Sequence, residues 1–208
     1  MQAISPALSV VERGIVDYPE ALALQHELAG RRARGEIADT LLLLEHPHVV
    51  TRGVGASRYS LGGTPHPVFD IERGGDVTYH GPGQLVGYPI LHLQERKLLV
   101  GRYLRLLEDA IIDALGGFGL EAERRKGFTG VWARGKKIAS IGIAVRSWVA
   151  FHGFALNVST DLSQFNGLYP CGLEPERMST MAALLDREVP MADVRRAVRN
   201  SFVAKLSF

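Results

Sequence analysis

Two long stretches of the chain carry apolar residues at helical spacing. Between positions 18 and 34, and again between 100 and 115, apolar side chains recur three and four residues apart, and glycine follows each stretch. A helix turns every 3.6 residues, so this spacing places the apolar side chains on one face. Glycine is a common residue just past a helix end. The pattern predicts a helix in each stretch and further helices over 178–186 and 192–205.

Short apolar runs predict the strands of a buried sheet. The runs TLLLLE and LVGYPILHL are uninterrupted but too short for helices, which favours strands covered on both faces. A tight turn at Ser147-Trp148 separates two further β-prone segments. Strands mixed with peripheral helices predict an α/β (α+β) fold, a mixed β-sheet flanked by helices, in a single domain over residues 1–208. The predicted strands cover 8–13, 40–45, 85–93, 137–146 and 149–158.

Composition narrows the function classes. The 208 residues include 24 Lys+Arg against 22 Asp+Glu, a balance that favours neither nucleic acid nor a membrane surface as partner. No apolar run approaches the length of a membrane span, and the N-terminal residues lack a signal-peptide pattern. The single cysteine excludes an internal disulfide. We therefore expect a cytoplasmic protein.

The densest concentration of unusual residues is RGGDVTYHGPGQ, residues 73–84. Four glycines stand among hydrogen-bonding side chains, and glycine allows positive φ and close approach to the backbone. An ordinary surface turn is the alternative, but the combination favours the wall of a binding site. Residues 53–67 are rich in Gly, Ser and Pro and predict a mobile loop. Gly142 and Gly153 interrupt predicted strands, which indicates a bulge or the close approach of a ligand.

Two apparent motifs are misleading. GVWARGK at 130–136 matches a phosphate-binding loop, but Lys137 follows where Ser or Thr is needed, and a strand-like segment replaces the required helix. His46, His48 and His66 invite a metal-site interpretation, but Pro47 and the lack of further matched ligands disfavour it. We predict no metal site.

The only thiol, Cys171, lies between Pro170 and Gly172 in an irregular segment. A small buried hydrophobe is the ordinary role of such a residue. The flanking Pro and Gly instead favour a turn with exposed backbone N–H groups, which suits a nucleophile. A working thiol needs a basic or cationic neighbour to form the thiolate. The candidates for that neighbour, which the residues alone leave open, are His80, His92, His152 and Lys137.

Three blocks in order resemble one family. They are RGGDVTYHGPGQLVGYP (73–89), GVWARGKKIASIGIAVRSWVAFHGFALNVSTDL (130–162) and PCGLEP (170–175). Together they are similar to the octanoyl-[acyl-carrier-protein]:protein transferases, also called the lipoate-protein ligase B family. The resemblance implies a fold like the catalytic domain of biotin and lipoate ligases. Tyr169 and the order Ser179-Thr180 depart mildly from the family pattern.

The resemblance implies roles for residues of this chain. Cys171 becomes the acyl-accepting nucleophile and Lys137 its partner, so octanoyl would pass through an acyl-Cys171 thioester. The donor would be octanoyl-acyl carrier protein, with no cofactor. The acceptors would be lysines on lipoyl domains of 2-oxoacid dehydrogenase acyltransferase subunits and on the glycine cleavage H protein. The implied substrate-binding residues are Arg73, Gly74, Gly75, Asp76, Val77, Thr78, Tyr79, His80, Ser140, Ile141, Gly142, Gly153, Phe154 and Ala155.

Further expectations concern the acyl tail and the partners. An apolar wall of Leu85, Ile141, Phe154 and Leu156 is expected to bury the tail, at about 0.8 kcal/mol per buried CH₂. Basic clusters at 31–34 and 124–126 are candidate docking patches for the acidic carrier. We expect a monomer. Acyl chain-length selectivity and the preferred acceptor stay open.

Two alternatives use the same chain differently. An ATP-dependent lipoate or biotin-type ligase would activate a free acid as an adenylate and would not need Cys171. A non-catalytic module would bind the carrier protein without accepting its acyl group. Loss of activity on removing Cys171, and covalent labelling of that residue, separate the transferase from both.

Overall fold

A computed structural model describes residues 8–57, 59–169 and 177–206. It contains a six-stranded mixed sheet in the order β1-β2-β6-β9-β8-β7 and a three-stranded sheet in the order β4-β3-β5. The strands are β1 (Leu8–Ile15), β2 (Asp39–Glu45), β3 (Val49–Arg52), β4 (Val68–Asp70), β5 (Val77–His80), β6 (Gln84–His92), β7 (Gly130–Ala133), β8 (Lys136–Arg146) and β9 (Val149–Asn157). The helices are α1 (Tyr18–Ala33), α2 (Val100–Gly116), α3 (Met181–Leu185) and α4 (Met191–Leu206).

Helices cover both faces of the large sheet. The buried stripe of α2, with Tyr103, Leu107 and Ile111, packs with α4 over one face in the largest core cluster. Helix α1 covers the other face through Ala21, which meets Leu42, Leu44, Val86 and Tyr88. The central strands β2, β6 and β9 are therefore buried on both sides, which explains their nearly continuous apolar sequences.

Pairing within the large sheet is parallel only between β1 and β2, and the other pairs are antiparallel. In the small sheet β3 pairs in parallel with β4 and antiparallel with β5. The glycine-rich motif leads into β5 of the small sheet and contacts β8 of the large one, where the Gly74 N–H donates to the Ile143 carbonyl. The predicted mixed sheet flanked by helices is confirmed. No helix in the described ranges is long and apolar enough to cross a membrane.

The predicted strands and the three longer helices match observed elements to within a few residues at each end, with two kinds of error. The helix predicted over 178–186 is wrong in extent, because only Met181–Leu185 is helical. Met178 instead forms a bridge with Lys137, and Thr180 caps α3 by accepting a hydrogen bond from the Ala183 N–H at 3.1 Å. The short strands β3, β4 and β7 were not predicted, since three or four residues show no readable period.

The misleading GVWARGK segment is a β-hairpin. Its first residues form β7, and Arg134 and Gly135 make the turn into β8 with φ of 48° and 76°. Positive φ at both turn positions matches the twist of the flanking strands. The glycine therefore serves a tight strand connection and cradles no phosphate.

Candidate active site

A cavity of about 520 Å³ lies between the glycine-rich motif and the β8–β9 pair. Within the described ranges, its lining includes Lys137 and every predicted substrate-binding residue except Tyr79. The motif forms one wall and the β8–β9 segments form the floor. The structure thus brings these residues together around one space, and their role in binding substrate stays a prediction.

Tyr79 lies on the other side of β5. Its side chain is fully buried, its hydroxyl is 2.7 Å from His48 Nδ1, and its ring packs edge-on against Phe165. Successive strand residues point to opposite faces, so Thr78 and His80 face the cavity while Tyr79 faces away. The expectation that Tyr79 lines the site is therefore wrong.

A β-bulge places Lys137 in the cavity. Val131 pairs with Ala139 whereas the next residue, Trp132, pairs with Lys137, so Ile138 is an extra residue in β8. Ile138 and Ala139 both point into the core under α2, although neighbours normally alternate. Lys137 consequently shares a face with Ser140 and Gly142.

The floor of the cavity on this face is made of small residues. Ser140 pairs with Ala155, and Gly142 pairs with Gly153. At both glycine positions, neighbouring backbone lies too close to leave room for a side chain. A β-carbon on Gly153 would overlap the Gly87 carbonyl oxygen of the neighbouring strand. Near Gly142, the Gly74 N–H donates to the Ile143 carbonyl at 2.8 Å, which holds the motif against the edge of β8.

Arg73 and His80 are fixed by hydrogen bonds to Thr51 on β3. The buried Arg73 guanidinium donates to the Thr51 carbonyl at 3.0 Å and to its hydroxyl at 2.9 Å. His80 Nδ1 lies 2.8 Å from Gln84 Oε1, and its Nε2 lies 3.4 Å from the Thr51 hydroxyl. These contacts orient both side chains before any ligand arrives, so this wall is preorganised.

The histidines of the cavity are neutral at pH 7. Burial lowers the pKa of His80 to about 3 and that of His152 to about 4. His92, the third histidine considered as a partner for the thiol, lies outside the cavity lining at the far end of β6. Lys137 lies inside the cavity, with Nζ 5.4 Å from the Trp132 ring centroid in a cation–π geometry.

A chain of buried hydrogen bonds runs from His80 to Lys137. Gln84, which contacts His80, donates to Asn157 Oδ1 at 2.9 Å, and Asn157 donates to the Ser179 carbonyl at 3.1 Å. The Ser179 N–H then donates to the Lys137 carbonyl at 2.9 Å. These hydrogen bonds therefore link the cavity wall to the strand that carries Lys137.

Cys171 lies outside the described residues, so its placement stays a prediction. The chain on its C-terminal side is described again from Arg177, and Met178 forms a parallel bridge with Lys137. Seven positions separate Cys171 from Met178. The described chain after this gap thus begins beside the predicted lysine partner.

Sequence reasoning missed part of the lining and misplaced part of the acyl wall. Ile141 and Phe154 line the cavity as expected, but Leu85 and Leu156 lie in the core under α2, where they face each other across β6 and β9. Helical or strand periodicity marks such residues as buried but does not say which buried residues border a void. The lining residues that were not predicted include Tyr18, Ile71, Tyr88, Val100, Leu104 and Phe128.

The three histidines considered for metal binding make other contacts. The two ring nitrogens of His46 lie 2.7 Å from the Val16 carbonyl and the Tyr88 hydroxyl. His48 contacts Tyr79, and His66 Nε2 lies 2.8 Å from Gln164 Oε1. Among the residues that the structure describes, no group of three His, Cys, Asp or Glu side chains is arranged to hold a metal.

The two basic clusters are partly matched by carboxylates. Arg32 pairs with the buried Asp39, and Arg34 pairs with Glu36. Arg124 contacts the buried Glu108 at 3.0 Å. Arg125 and Lys126 remain exposed immediately before residues 127–129, which line the cavity. Of the two patches, the second is therefore continuous in sequence with residues of the cavity lining.

Comparisons with known proteins agree on one family. Residues 17–203 match the sequence model of the lipoyl protein ligase A/B catalytic domain. A protein of Geobacter metallireducens called octanoyltransferase is 46% identical over 94% of this chain and 92% of its own length. Proteins of the same description from Rubrobacter xylanophilus and Solibacter usitatus are 48% and 53% identical, over 91% and 82% of this chain and 89% and 80% of their own.

Solved structures show the same fold at much lower identity. A lipoate-protein ligase A bound with ATP superposes with a TM-score of 0.71 at 19% identity, over 97% of this chain and 85% of that one. The P. falciparum protein LipL1 in complex with lipoate gives 0.76 at 14% identity, over 96% and 62%. These likenesses concern the fold alone.

Proposed function

Because the chain belongs to the lipoyl protein ligase A/B catalytic-domain family, we propose that it is an octanoyltransferase. It moves an octanoyl or lipoyl group from acyl carrier protein to a specific lysine of a lipoyl domain, in the cytoplasm. The acceptors are lipoyl domains of 2-oxoacid dehydrogenase acyltransferase subunits and the glycine cleavage H protein. The protein acts as a single catalytic domain and as a monomer, without a cofactor.

The observation that carries the proposal is the bulge at Ile138. It turns Lys137 onto the small-residue floor of a cavity whose wall is the glycine-rich motif. The buried histidines of that cavity are neutral and the Arg73 guanidinium is hydrogen-bonded to Thr51, which favours Lys137 as the group that stabilises a thiolate. Met178, seven positions after Cys171 in the sequence, forms a bridge with Lys137. A cysteine–lysine pair is therefore the favoured catalytic arrangement.

In the first half-reaction, the Cys171 thiol gives its proton to Lys137 and the thiolate attacks the thioester carbonyl carbon. The carbon–sulfur bond to the carrier breaks, and the carrier thiolate takes the proton back from Lys137. Backbone N–H groups near Cys171 and in the motif hold the oxyanion. An acyl-Cys171 thioester remains, and the free carrier leaves.

In the second half-reaction, the lysine amine of the lipoyl domain attacks the acyl-Cys171 carbonyl. An amide bond forms, the bond to Cys171 Sγ breaks, and Lys137 passes the amine proton to the leaving thiolate. A thioester is more reactive than an amide, so the transfer needs no ATP. Covalent catalysis of this kind gives ping-pong kinetics.

Intact-mass spectrometry after mixing with octanoyl-acyl carrier protein tests the proposal. We expect one octanoyl adduct that hydroxylamine removes and that Cys171→Ala abolishes. Lys137→Met should slow adduct formation by about 10²–10⁴-fold, the usual range for loss of a proton-transfer group. Lys136→Met is the matched control, because Lys136 is the exposed neighbour and should leave the rate unchanged.

Other outcomes would favour the alternatives. Full activity of Cys171→Ala with ATP and free lipoate would indicate a ligase. Carrier binding without any covalent adduct would indicate a binding module. An adduct on a residue other than Cys171 would contradict the mechanism while leaving an acyltransferase function in place.

A further inference from the structure

Polar atoms without a hydrogen-bond partner meet at one end of the cavity. In the described chain, four buried side-chain atoms lack a partner, and three of them belong to this corner: Tyr18 Oη, Gln25 Nε2 and His152 Nε2. Tyr18 is 3% exposed and His152 is 2% exposed, and both line the cavity. Buried polar groups are almost always paired with protein, water or ligand. Their convergence at a cavity wall marks a place where a hydrogen-bonding group belongs.

Helix α1 and strands β5 and β9 hold the side chains of this corner in place. Tyr18 begins α1 and its ring lies parallel to that of His80, with centroids 6.3 Å apart. The His152 N–H donates to Gln25 Oε1 at 2.9 Å, and the residue has a φ of 55°, a left-handed value unusual for a strand. The polar group nearest to His152 Nε2 across this corner is the partly exposed Glu72 carboxylate, whose Oε2 stands 3.5 Å away in a long ion-pair contact.

This corner lies at the opposite end of the floor from Lys137. His152 pairs with Ile143, six positions after Lys137 on β8. Since Ile138 is an extra residue, the two positions are five regular steps apart, about 17 Å along the strand at ~3.3 Å per residue, and the residues at both ends line the cavity. Ala155 and Tyr88 belong to the cluster under α1, so the Lys137 face of the sheet is also the face of Tyr18. A group bound covalently near Lys137 therefore extends along the floor towards Tyr18 and His152.

We propose that Tyr18 and His152 determine which acyl chains are accepted, by ending the cavity with hydrogen-bonding atoms that a hydrocarbon cannot satisfy. The inference rests on the proposed octanoyl transfer. A chain that stops short of this corner leaves its polar atoms hydrated. A longer saturated chain must replace that water with methylene and methyl groups, which is unfavourable because a desolvated polar atom is left without a partner. A chain with a terminal hydroxyl restores the lost hydrogen bond.

The test compares three donors, octanoyl-, decanoyl- and 10-hydroxydecanoyl-acyl carrier protein, by kcat/KM. The wild-type protein should prefer octanoyl over decanoyl and should accept 10-hydroxydecanoyl better than decanoyl. Tyr18→Phe removes one polar atom while keeping the ring. It should raise the decanoyl-to-octanoyl ratio about tenfold and reduce the preference for the hydroxylated chain.

The ratio is measured within one sample, so partial unfolding of a variant does not change it. Tyr103→Phe is the matched control, since Tyr103 is a buried tyrosine whose hydroxyl donates to the Pro89 carbonyl, away from the cavity lining. The decanoyl-to-octanoyl ratio of kcat/KM in Tyr103→Phe should equal that of the wild type. Tyr18→Leu, which also opens space, should raise the ratio at least as much as Tyr18→Phe.

Three results would overturn the inference. The first is a wild-type protein that transfers octanoyl and decanoyl equally well. The second is an unchanged ratio in Tyr18→Phe. If the ratio then rises in Tyr18→Leu, the limit is one of space alone. The third is a wild-type protein that accepts 10-hydroxydecanoyl no better than decanoyl. Absence of octanoyl transfer by the wild type would instead refute the proposed function.

Discussion

Gly142 lies directly beneath Gly74, so close that a β-carbon on Gly142 would stand 2.7 Å from the Gly74 carbonyl oxygen. One glycine belongs to the floor of the cavity and the other to its wall. Real β-carbons essentially never approach a backbone oxygen so closely, and the Arg73 side chain is also within 3.0 Å. The width of the cavity at this point is therefore set by the absence of a side chain.

The first prediction concerns that contact. Gly142→Ala should displace residues 73–75 from β8 and cost about 1–3 kcal/mol of stability, the usual range for overpacking. Transfer activity should fall more than stability does, because the moved residues form the cavity wall. Thermal unfolding and kcat/KM measure the two effects. Gly101→Ala is the control, since nothing lies within 4 Å of a β-carbon there, and it should be neutral or slightly stabilising. Wild-type behaviour of Gly142→Ala would contradict the prediction.

The second prediction concerns the buried ion cluster around Asp39. Its fully buried carboxylate accepts hydrogen bonds from Arg32 Nε at 2.7 Å, from Arg96 Nε and from the His92 N–H at 3.0 Å. Asp39→Asn removes the buried anion that Arg32 and Arg96 share and leaves Arg32 with the half-exposed Glu95 alone, so we expect a loss of about 3–5 kcal/mol in the free energy of unfolding. Urea denaturation measures this loss.

Glu36→Gln provides the comparison for Asp39→Asn. Glu36 pairs with Arg34 at the surface, and exposed ion pairs contribute about 0–1 kcal/mol. Its unfolding midpoint should stay close to that of the wild type. Equal effects of the two substitutions would show that burial does not govern the energy of these pairs.

The third prediction concerns acid stability. Burial lowers the pKa of His46 and of His152 to about 4 and that of His80 to about 3, whereas an unfolded histidine titrates near 6.5. Below about pH 6.5 the unfolded chain therefore binds protons at these histidines that the folded protein does not bind. The free energy of unfolding should be level above about pH 7 and should fall from about pH 6.5 towards pH 4. Each histidine contributes up to about 1.4 kcal/mol per pH unit in that window.

Urea denaturation at several pH values between 5 and 7.5 measures this slope. His46→Gln removes one of the three buried imidazoles and should reduce the slope by roughly a third, whatever its effect on stability at pH 7.5. Stability that stays level down to pH 5 would mean that these side chains are hydrated or protonated in the folded protein.

The local pattern of the sequence determined much of the fold. Uninterrupted apolar residues in β2 and β6 predict buried strands because two covered faces leave no place for a polar alternation. The apolar residues of α2 predict its buried face because they recur at the helical period and so lie on one side. Three-residue strands such as β4 carry too few residues to express a period, and the five-residue α3 replaces a longer predicted helix because Met178 pairs with Lys137.

The sequence by itself determined the chemical inventory: one thiol, a glycine-rich motif and a set of candidate partners for the thiol. Tertiary structure decided their arrangement. The direction in which a strand side chain points depends on regular alternation and on the β-bulges that interrupt it. One extra residue at Ile138 turns Lys137 into the cavity, and regular alternation on β5 turns Tyr79 away from it. Tyr18, 119 positions before Lys137, borders the same cavity only because α1 packs across the sheet. Such long-range packing leaves no local period in the chain.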